Sequence, residues 1–212
     1  MDHVSLIHCT PEADNLIERI ARVSNPKNQE KMDRGELKPS RLIRYLAEHK
    51  HWSPFEMASA CLEFNTTRAI SAQLIRHRSF SFQEFSQRYA ETTGNAFPEM
   101  RRSGTTNRQS STYDRDLIHD TNSTVLSALE SAEKAYKDLL EAGVAPECAR
   151  MVLPMCAKTR IYVHGTIRSW HHYFEQRCSE HAQKEHRLLA EEARVLLSAE
   201  MPVTAEALGW LL

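Results

Sequence analysis

Apolar and polar positions along the chain follow two different periods, which predict a mixture of strands and helices. The strict alternation over residues 57–65 is typical of a strand with one buried face. Residues 3–9 and 159–164 are short and apolar enough for two further strands, the second closed by Gly165. Because the strands and helices lack βαβ regularity, the pattern favours an α+β fold, and no boundary divides residues 1–212 into more than a single domain.

Helical spacing accounts for most of the remaining chain. The first predicted helix has Thr10 as its N-cap and Pro11 at its first position, and the second is capped by Ser40. The predicted helices occupy, in order, 10–24, 40–46, 65–78, 113–142 with Gly143 just past its end, 146–154, 167–177 and 180–200, stopped near Pro202. The polar stretches 25–38 and 91–112 are predicted to be loops.

Composition narrows the classes of function. Of the 212 residues, 41% are hydrophobic and 26% charged, as in an ordinary soluble protein. The net charge of −1 provides no general basic field for nucleic acid, so any anion site is local. No apolar run of membrane-spanning length and no signal-peptide layout occur, and the five cysteines form no CxxC pair. These features predict a cytoplasmic protein without a disulfide framework or a thiolate zinc site.

A local anion site is predicted in the segment RHRSFSFQEFSQR at residues 76–88. Its first three residues lie at the C-terminus of a predicted helix, where positive side chains are stabilised by the helix dipole. Taken alone, they are most simply interpreted as basic residues exposed to solvent at the end of a helix. The Ser86 hydroxyl and the Arg88 fork, however, are groups that hold phosphate. Glu84 lies among these cations and can accept hydrogen bonds from a sugar or a base. The segment therefore predicts the binding of an anionic nucleotide.

Six motifs in the same order resemble those of the flavin-dependent thymidylate synthases, and together they cover nearly the whole chain. The motifs are ARVS at 21–24, HWSPFE at 51–56, RHRSFSFQEFS at 76–86, NRQSS at 107–111, ECARMVLP at 147–154 and RCSEHAQKEHR at 177–187. The resemblance implies a single-domain α+β fold with an antiparallel-rich sheet and long helices. It also implies methylation of dUMP to dTMP, with 5,10-methylenetetrahydrofolate as carbon donor, FAD as cofactor and NADPH as the reductant of FAD. No enzyme cysteine attacks the uracil in this family.

The resemblance assigns residues to both ligands. The implied dUMP-binding residues are Gln73, Arg76, Glu84, Phe85, Ser86, Gln87, Arg88, Arg150 and Arg177. The implied flavin-binding residues are Ser53, Arg76, His77, Arg78, Glu84, Thr166, Ile167, Arg168, His172 and His181. Arg177 is the implied catalytic residue, because a guanidinium beside the uracil favours ionisation at N3. The chain departs from the family where Thr166 and His172 replace asparagine and where Met57 replaces histidine.

Two rival classes remain to be weighed. A metal hydrolase would need clustered ligands, but His181, Glu185 and His186 match no zincin spacing, and the adjacent His171 and His172 are expected to point to different helix faces. We therefore predict no metal. A nucleic-acid-binding module fits the basic cluster with its phenylalanines but not the near-zero net charge. The lack of a long apolar run predicts no membrane partner. The resemblance further implies small-molecule substrates and a homotetramer whose active sites combine several subunits.

Overall fold

The computed structural model describes residues 3–37, 41–105, 107 and 109–211. Its strands are β1 (His3–Cys9), β2 (Ser59–Thr67), β3 (Ser81–Glu84), β4 (Arg102–Ser103), β5 (Ser111–Thr112) and β6 (Lys158–Thr166). Its α-helices are α1 (Ala13–Ala21), α2 (Pro26–Asp33), α3 (Arg41–Glu48), α4 (Arg68–Leu74), α5 (Arg115–Glu141), α6 (Pro146–Ala149), α7 (Ile167–Arg177), α8 (Lys184–Glu200) and α9 (Pro202–Ala207). Short 3₁₀ helices cover Ser53–Glu56 and Arg150–Val152. None of these helices is both long and apolar enough to cross a membrane.

The main sheet has four strands in the order β1-β2-β6-β3, and β4 pairs with β5. β2 and β6 run antiparallel, because the Arg68 amide donates to the Ala157 carbonyl at one end and the Ile167 amide to the Ala58 carbonyl at the other. Every second residue of β2 is buried, as the alternation predicts. The predicted α+β class with an antiparallel sheet is confirmed.

The described residues form two compact units that are interleaved along the chain. The first unit comprises residues 65–76 and 83–161, and the second comprises 3–64, 77–82 and 162–211. The unit boundaries fall within β2, β3 and β6, so each of these strands contributes residues to both units. The assignment of the whole chain to one domain stays a prediction.

An aromatic cluster forms the core of the second unit around Trp170, which is fully buried. Its indole Nε1 donates to the Ala60 carbonyl at 3.2 Å, and its ring lies 6.3 Å from Phe64 and 4.6 Å from Phe80. Gly165 makes room for Phe80, since a Cβ atom at 165 would lie 2.2 Å from the Phe80 ring. The absent side chain therefore lets Phe80 pack directly on β6.

The first and last helices of the second unit are joined by the carboxylate of Asp14. This carboxylate accepts from the backbone amides of Val203 and Thr204, both at 2.9 Å, and from the Thr204 hydroxyl at 2.6 Å. It thereby caps the N-terminus of α9 from α1, because the first amides of a helix have no partner within the helix. Pro202 begins this additional helix, which the sequence pattern did not predict.

The first unit contains the longest helix, α5, with 27 residues. The Asp114 side chain caps it by accepting from the Leu117 amide at 3.0 Å, and Gly143 follows its end with a φ of 82°. The predicted long helix and its terminal glycine are confirmed. Tyr136 is the one residue of α5 that is buried in this chain, so most of the helix surface is open.

Two local predictions near the N-terminus are wrong. Thr10 does not cap α1, because its hydroxyl donates to the Ser59 carbonyl and accepts from the Ser59 amide; the residue before the helix is Glu12. The predicted loop 25–38 contains α2, whose N-cap is the Asn25 side chain. The predicted cap Ser40 lies outside the described residues.

Boundaries elsewhere shift by a few residues. The helix predicted to end at residues 76–78 ends at Leu74, so the RHR motif follows the helix and leads into β3. β6 does not close at Gly165 but continues to Thr166, which then caps α7. Within its described residues, the predicted loop 91–112 is confirmed apart from the two-residue strands β4 and β5.

Candidate active site

Glu84 is held at the end of β3 by three donors of the first unit. Its Oε1 accepts from Arg68 Nη1 at 2.5 Å, from Ser71 Oγ at 2.7 Å and from Thr159 Oγ1 at 2.9 Å. From the described residues, Oε2 takes no hydrogen bond. A carboxylate fixed in this way presents its second oxygen as an acceptor in a defined position.

The residues after Glu84 turn away from the sheet. The Phe85 amide still pairs with the Arg160 carbonyl, and the Ser86 carbonyl then accepts from the amides at 89 and 90. Among the described residues, the Ser86 hydroxyl takes part in one long bond, which it accepts from the Arg88 amide at 3.4 Å. Gln87 is buried, and its side-chain Nε2 has no hydrogen-bond partner in the described residues. This turn therefore offers an available hydroxyl and a buried amide donor.

Arg88 and Arg150, both expected to hold phosphate, converge on Glu147. Arg88 Nε donates to the Glu147 carboxylate at 3.2 Å, and Arg150 Nε donates to the Glu147 backbone carbonyl at 3.3 Å. The Arg88–Glu147 pair is more than half exposed on both sides, and such pairs contribute at most about 1 kcal/mol. A phosphate can therefore displace this pair at small cost. At the end of α4, Gln73 is half-buried and Arg76 is exposed.

Arg177 and His77 are in direct contact within the second unit. Arg177 Nε donates to His77 Nε2 at 2.9 Å, and the His77 ring stands edge-on to Tyr173 at 5.0 Å. Burial, and then the charge of Arg177, lowers the pKa of His77 to about 4. His77 is thus a neutral acceptor at pH 7, and its side chain supports the predicted catalytic arginine.

The start of α7 contains three of the residues expected to bind flavin. The Thr166 hydroxyl accepts from the Ser169 amide at 3.2 Å, so it serves as the N-cap of the helix. Ile167 is fully buried, and its amide pairs with β2. Arg168 forms an ion pair with Glu56 of the HWSPFE motif. Of the three, Arg168 has the side chain most open to a ligand.

The HWSPFE motif lies against the histidines of α7. The Trp52 ring is 5.0 Å from the His171 ring and 5.4 Å from the His172 ring, and Ser53 beside it is exposed. His172 Nδ1 lies 3.0 Å from the Glu175 carboxylate. His181 is exposed farther along the chain, where its backbone amide donates to Ser179 Oγ.

His171, His172 and Glu175 place one potential metal ligand each within 4.8 Å of one another. The expectation that the two histidines point apart is therefore wrong, because Glu175 lies one turn farther along and contacts both. Trp210 Nε1, which can only donate, lies 3.3 Å from His171 Nδ1. The proton of a neutral His171 is then on Nε2, and a protonated nitrogen does not coordinate a metal. This tautomer argues for a hydrogen-bonded cluster rather than a metal site.

Several arginines of the motifs share one electrostatic property. Among the described residues, none of them is paired with a carboxylate, although other arginines of the chain are, including Arg19, Arg44 and Arg68. The arginines without a carboxylate partner are Arg76, Arg78, Arg150 and Arg177. Positive charge left without a counter-charge favours anionic ligands.

Sequence reasoning missed the residues that hold Glu84. Arg68 and Ser71 lie three positions apart at the start of α4 and so share a helix face, which is a signal that the sequence contains. Thr159 is 75 positions from Glu84, and no local pattern connects them. His186, which is fully buried and bonded to Tyr173, was considered only as a metal ligand.

The family model described as "Thymidylate synthase complementing protein" matches residues 5–203. The chain therefore belongs to the family of flavin-dependent thymidylate synthases, as the motif resemblance predicted.

Individual relatives agree with this assignment. A flavin-dependent thymidylate synthase of Synechocystis sp. is 42% identical over 199 residues, which cover 93% of this chain and 90% of the relative. A probable flavin-dependent thymidylate synthase of Paramecium bursaria Chlorella virus 1 is 42% identical over 205 residues, covering 94% and 92%. The crystal structure of the UMP/dUMP methylase PolB from Streptomyces cacaoi, bound with 5-Br dUMP, is similar with a TM-score of 0.88 and 29% identity, covering 99% of this chain and 95% of that one.

Proposed function

We propose that the chain methylates dUMP at C5 to give dTMP, with 5,10-methylenetetrahydrofolate as carbon donor. Bound FAD, reduced by NADPH, supplies the hydride. The observation that carries this proposal is that the motifs of the family keep their order while four of their arginines lack a carboxylate partner among the described residues. Three anionic ligands, namely nucleotide, flavin and nicotinamide, account for such a set of cations.

The phosphate of dUMP is assigned to Ser86, Arg88 and Arg150. Arg88 and Arg150 both contact Glu147, and only an exposed, weak ion pair competes for Arg88. Each charged hydrogen bond to a phosphate oxygen contributes about 1.5–3 kcal/mol. Glu84 accepts from a hydroxyl or N–H of the ligand through Oε2, while its Oε1 stays engaged with the protein.

Arg177 is assigned to the uracil ring. Its guanidinium is permanently charged, and it stabilises negative charge that develops at N3 and O2 of the base. Nε is already engaged with His77, and the two Nη groups, which have no partner in the described part of the chain, are assigned to the substrate. Arg177 thus acts by electrostatics rather than by transferring a proton.

The donors of the second unit fit a flavin dinucleotide. The pyrophosphate requires cations, and Arg78 is exposed with no carboxylate partner among the described residues. Trp52 offers an aromatic surface beside the exposed Ser53 and the half-buried His172, which supply polar contacts. Thr166 keeps a hydrogen-bonding hydroxyl where the family commonly has asparagine, although here that hydroxyl also caps α7.

Four of the five cysteines support a mechanism without a covalent enzyme nucleophile. Burial raises the pKa of Cys9 and of Cys178 to about 11, and it also raises the pKa of Cys61 and of Cys156. A thiol acts as a nucleophile in its thiolate form, and a raised pKa disfavours that form at pH 7. These four thiols are therefore poorly suited to attack C6 of the uracil.

Assembly as a cytoplasmic homotetramer, without nucleic acid or a membrane as partner, is part of the same proposal. Large apolar side chains of the first unit are exposed in the single chain, including Leu126 on α5 and Met151, Val152 and Met155 after α6. Grouped apolar exposure of this kind is typical of a protein interface. The open surface of α5 supports burial between copies of the chain.

The flavin spectrum tests the proposal most directly. The purified protein is expected to be yellow or to take up added FAD, and NADPH is expected to bleach the flavin absorbance without oxygen. Addition of dUMP is expected to shift that absorbance, because the two ligands meet in the reaction. A colourless protein that takes up no FAD would refute the proposal.

Arg177→Ala tests the assignment of the catalytic residue. Removing a preorganised group that stabilises developing charge costs about 10²–10³ in kcat. Arg44→Ala is the matched control, since Arg44 is an exposed arginine of the same unit paired with Glu206 and outside the proposed site. Near-normal dTMP formation by Arg177→Ala would remove Arg177 from this role.

A further inference from the structure

His186 is a fully buried histidine to which the proposed function assigns no role. Its Nε2 lies 3.1 Å from the hydroxyl of Tyr173, which is 1% exposed. α8 contributes His186, and α7 contributes Tyr173 and, four positions later, Arg177. A buried hydroxyl is unfavourable without a hydrogen-bond partner, so the bond to His186 fixes the position of the Tyr173 ring.

The Tyr173 ring in turn supports His77. The two rings are nearly perpendicular, at 79°, with centroids 5.0 Å apart, and the His186 ring is 6.4 Å from His77. Edge-on aromatic pairs of this kind have a preferred geometry. His77 Nε2 accepts from Arg177 Nε, so the orientation of the His77 ring decides where the guanidinium plane lies.

The charges in this cluster require both histidines to be neutral. Burial and then Arg177 lower the pKa of His77 to about 4; burial, Arg177 and His77, in that order, lower the pKa of His186 to about 3. In the described part of the chain, the titratable groups that face the His77 ring are Arg177 and Tyr173 from α7 and His186 from α8. Arg177 is therefore the single charge of this group at pH 7.

We propose that His186 is a positioning residue, which acts through Tyr173 and His77 to aim the Arg177 guanidinium at the base of the substrate. The proposal rests on the proposed function, because it takes dUMP as the ligand and Arg177 as the residue that contacts the uracil. It goes beyond that function by adding a buried chain of contacts from α8 to the reacting base.

The test uses the flavin-loaded protein and compares His186→Leu with His186→Gln. Leucine fills a similar volume but cannot bond the Tyr173 hydroxyl, whereas the glutamine amide can. We expect His186→Leu to weaken dUMP binding and kcat/KM by about 10- to 100-fold, by analogy with the loss of partners that orient metal-binding side chains. His186→Gln is expected to restore most of this loss. Tyr173→Phe, which removes only the hydroxyl, should reproduce the effect of His186→Leu and replaces it if that variant does not fold.

A fragment of dUMP that lacks the base can distinguish a misplaced Arg177 from a general loss of structure. Because the contact chain ends at the base, binding of 2-deoxyribose 5-phosphate, measured by calorimetry, should be the same in all these variants. Thr204→Val is the matched control, since it removes a buried hydrogen bond of the same unit at Asp14 and should lower stability without changing either affinity.

Two outcomes would overturn the proposal. One is an unchanged affinity for dUMP in His186→Leu and Tyr173→Phe, and the other is an equal loss of affinity for dUMP and for the sugar phosphate. Failure of the proposed function has a different signature, because the unmodified protein would then neither bind dUMP nor form dTMP.

Discussion

Replacing Thr159 by valine tests the network around Glu84 with almost no change of shape. The Thr159 hydroxyl donates to Glu84 Oε1 at 2.9 Å, and the residue is 6% exposed on β6. Valine keeps the branched outline and the strand propensity of threonine but has no donor. The substitution therefore removes one hydrogen bond to a partly buried carboxylate.

The expected loss of stability depends on the hydrogen bonds that Glu84 retains in the variant. A hydrogen bond to a charged group contributes about 1.5–3 kcal/mol. Oε1 retains Arg68 and Ser71, and the Glu84 side chain is still 20% exposed, so water offsets part of the loss. We expect the free energy of unfolding to fall by about 1–2 kcal/mol, at or just below the lower end of the range for charged hydrogen bonds.

Thr66→Val is the matched control. Thr66 lies on β2 in the same unit and is 3% exposed, but its buried hydroxyl has no hydrogen-bond partner among the described residues. Replacing an unsatisfied buried hydroxyl by a methyl group is expected to be neutral or stabilising by up to about 1 kcal/mol. Both substitutions replace a buried strand hydroxyl by a methyl group, but only Thr159→Val removes a hydrogen bond.

Urea unfolding of both variants, with free energies compared at equal m values, measures the difference. The Michaelis constant for dUMP provides a second readout, and it should rise in Thr159→Val because Glu84 is less firmly oriented. Equal stabilities of Thr159→Val and Thr66→Val would show that Glu84 draws no net stabilisation from the Thr159 hydroxyl, and the reasoning would fail.

Two further predictions concern the second unit. Gly165→Ala should destabilise by at least about 1–3 kcal/mol, the usual cost of overpacking, because its Cβ meets the Phe80 ring; a thermal midpoint equal to the parent's would contradict this. His77 and His186 have lower pKa values in the folded chain than in the unfolded chain. Between about pH 6.5 and pH 4, the unfolded chain therefore binds more protons than the folded chain does. The free energy of unfolding, measured by urea titration, should therefore decrease as the pH is lowered over this interval, and it should decrease less steeply in His186→Gln. A free energy that does not change with pH would contradict the conclusion that both histidines are neutral in the folded protein.

The sequence predicted those elements whose burial leaves a periodic trace. β2, α5 and α7 alternate or recur at the expected spacing, and the structure confirms them. α2 left no such trace, because it buries none of its residues and depends on the Asn25 cap. The α1 cap was mistaken for a similar reason, since the Thr10 hydroxyl is taken by Ser59, 49 positions away.

The residues of the candidate site also differ in whether the sequence could predict them. Motif order could indicate Arg88 and Arg150, and the structure brings both to Glu147. Contacts between distant segments could not be predicted, such as Thr159 with Glu84 or His186 with Tyr173, because neither residue of such a pair marks its partner. The residues that the sequence did not predict are those that support the site, because their role depends on three-dimensional packing rather than on local spacing.

The bond between Asp14 and α9 has a consequence for synthesis on the ribosome. It joins positions 190 apart, and apart from residues 77–82 the second unit resumes only at residue 162, roughly 100 residues after its first segment ends. At a translation rate of about 5–20 residues per second, residues 3–64 are synthesised about 5–20 s before the strand and helices that cover them. Ile17 and Ile43, fully buried in the finished protein, belong to that early segment. During synthesis, these apolar side chains therefore stay uncovered until the last quarter of the chain emerges.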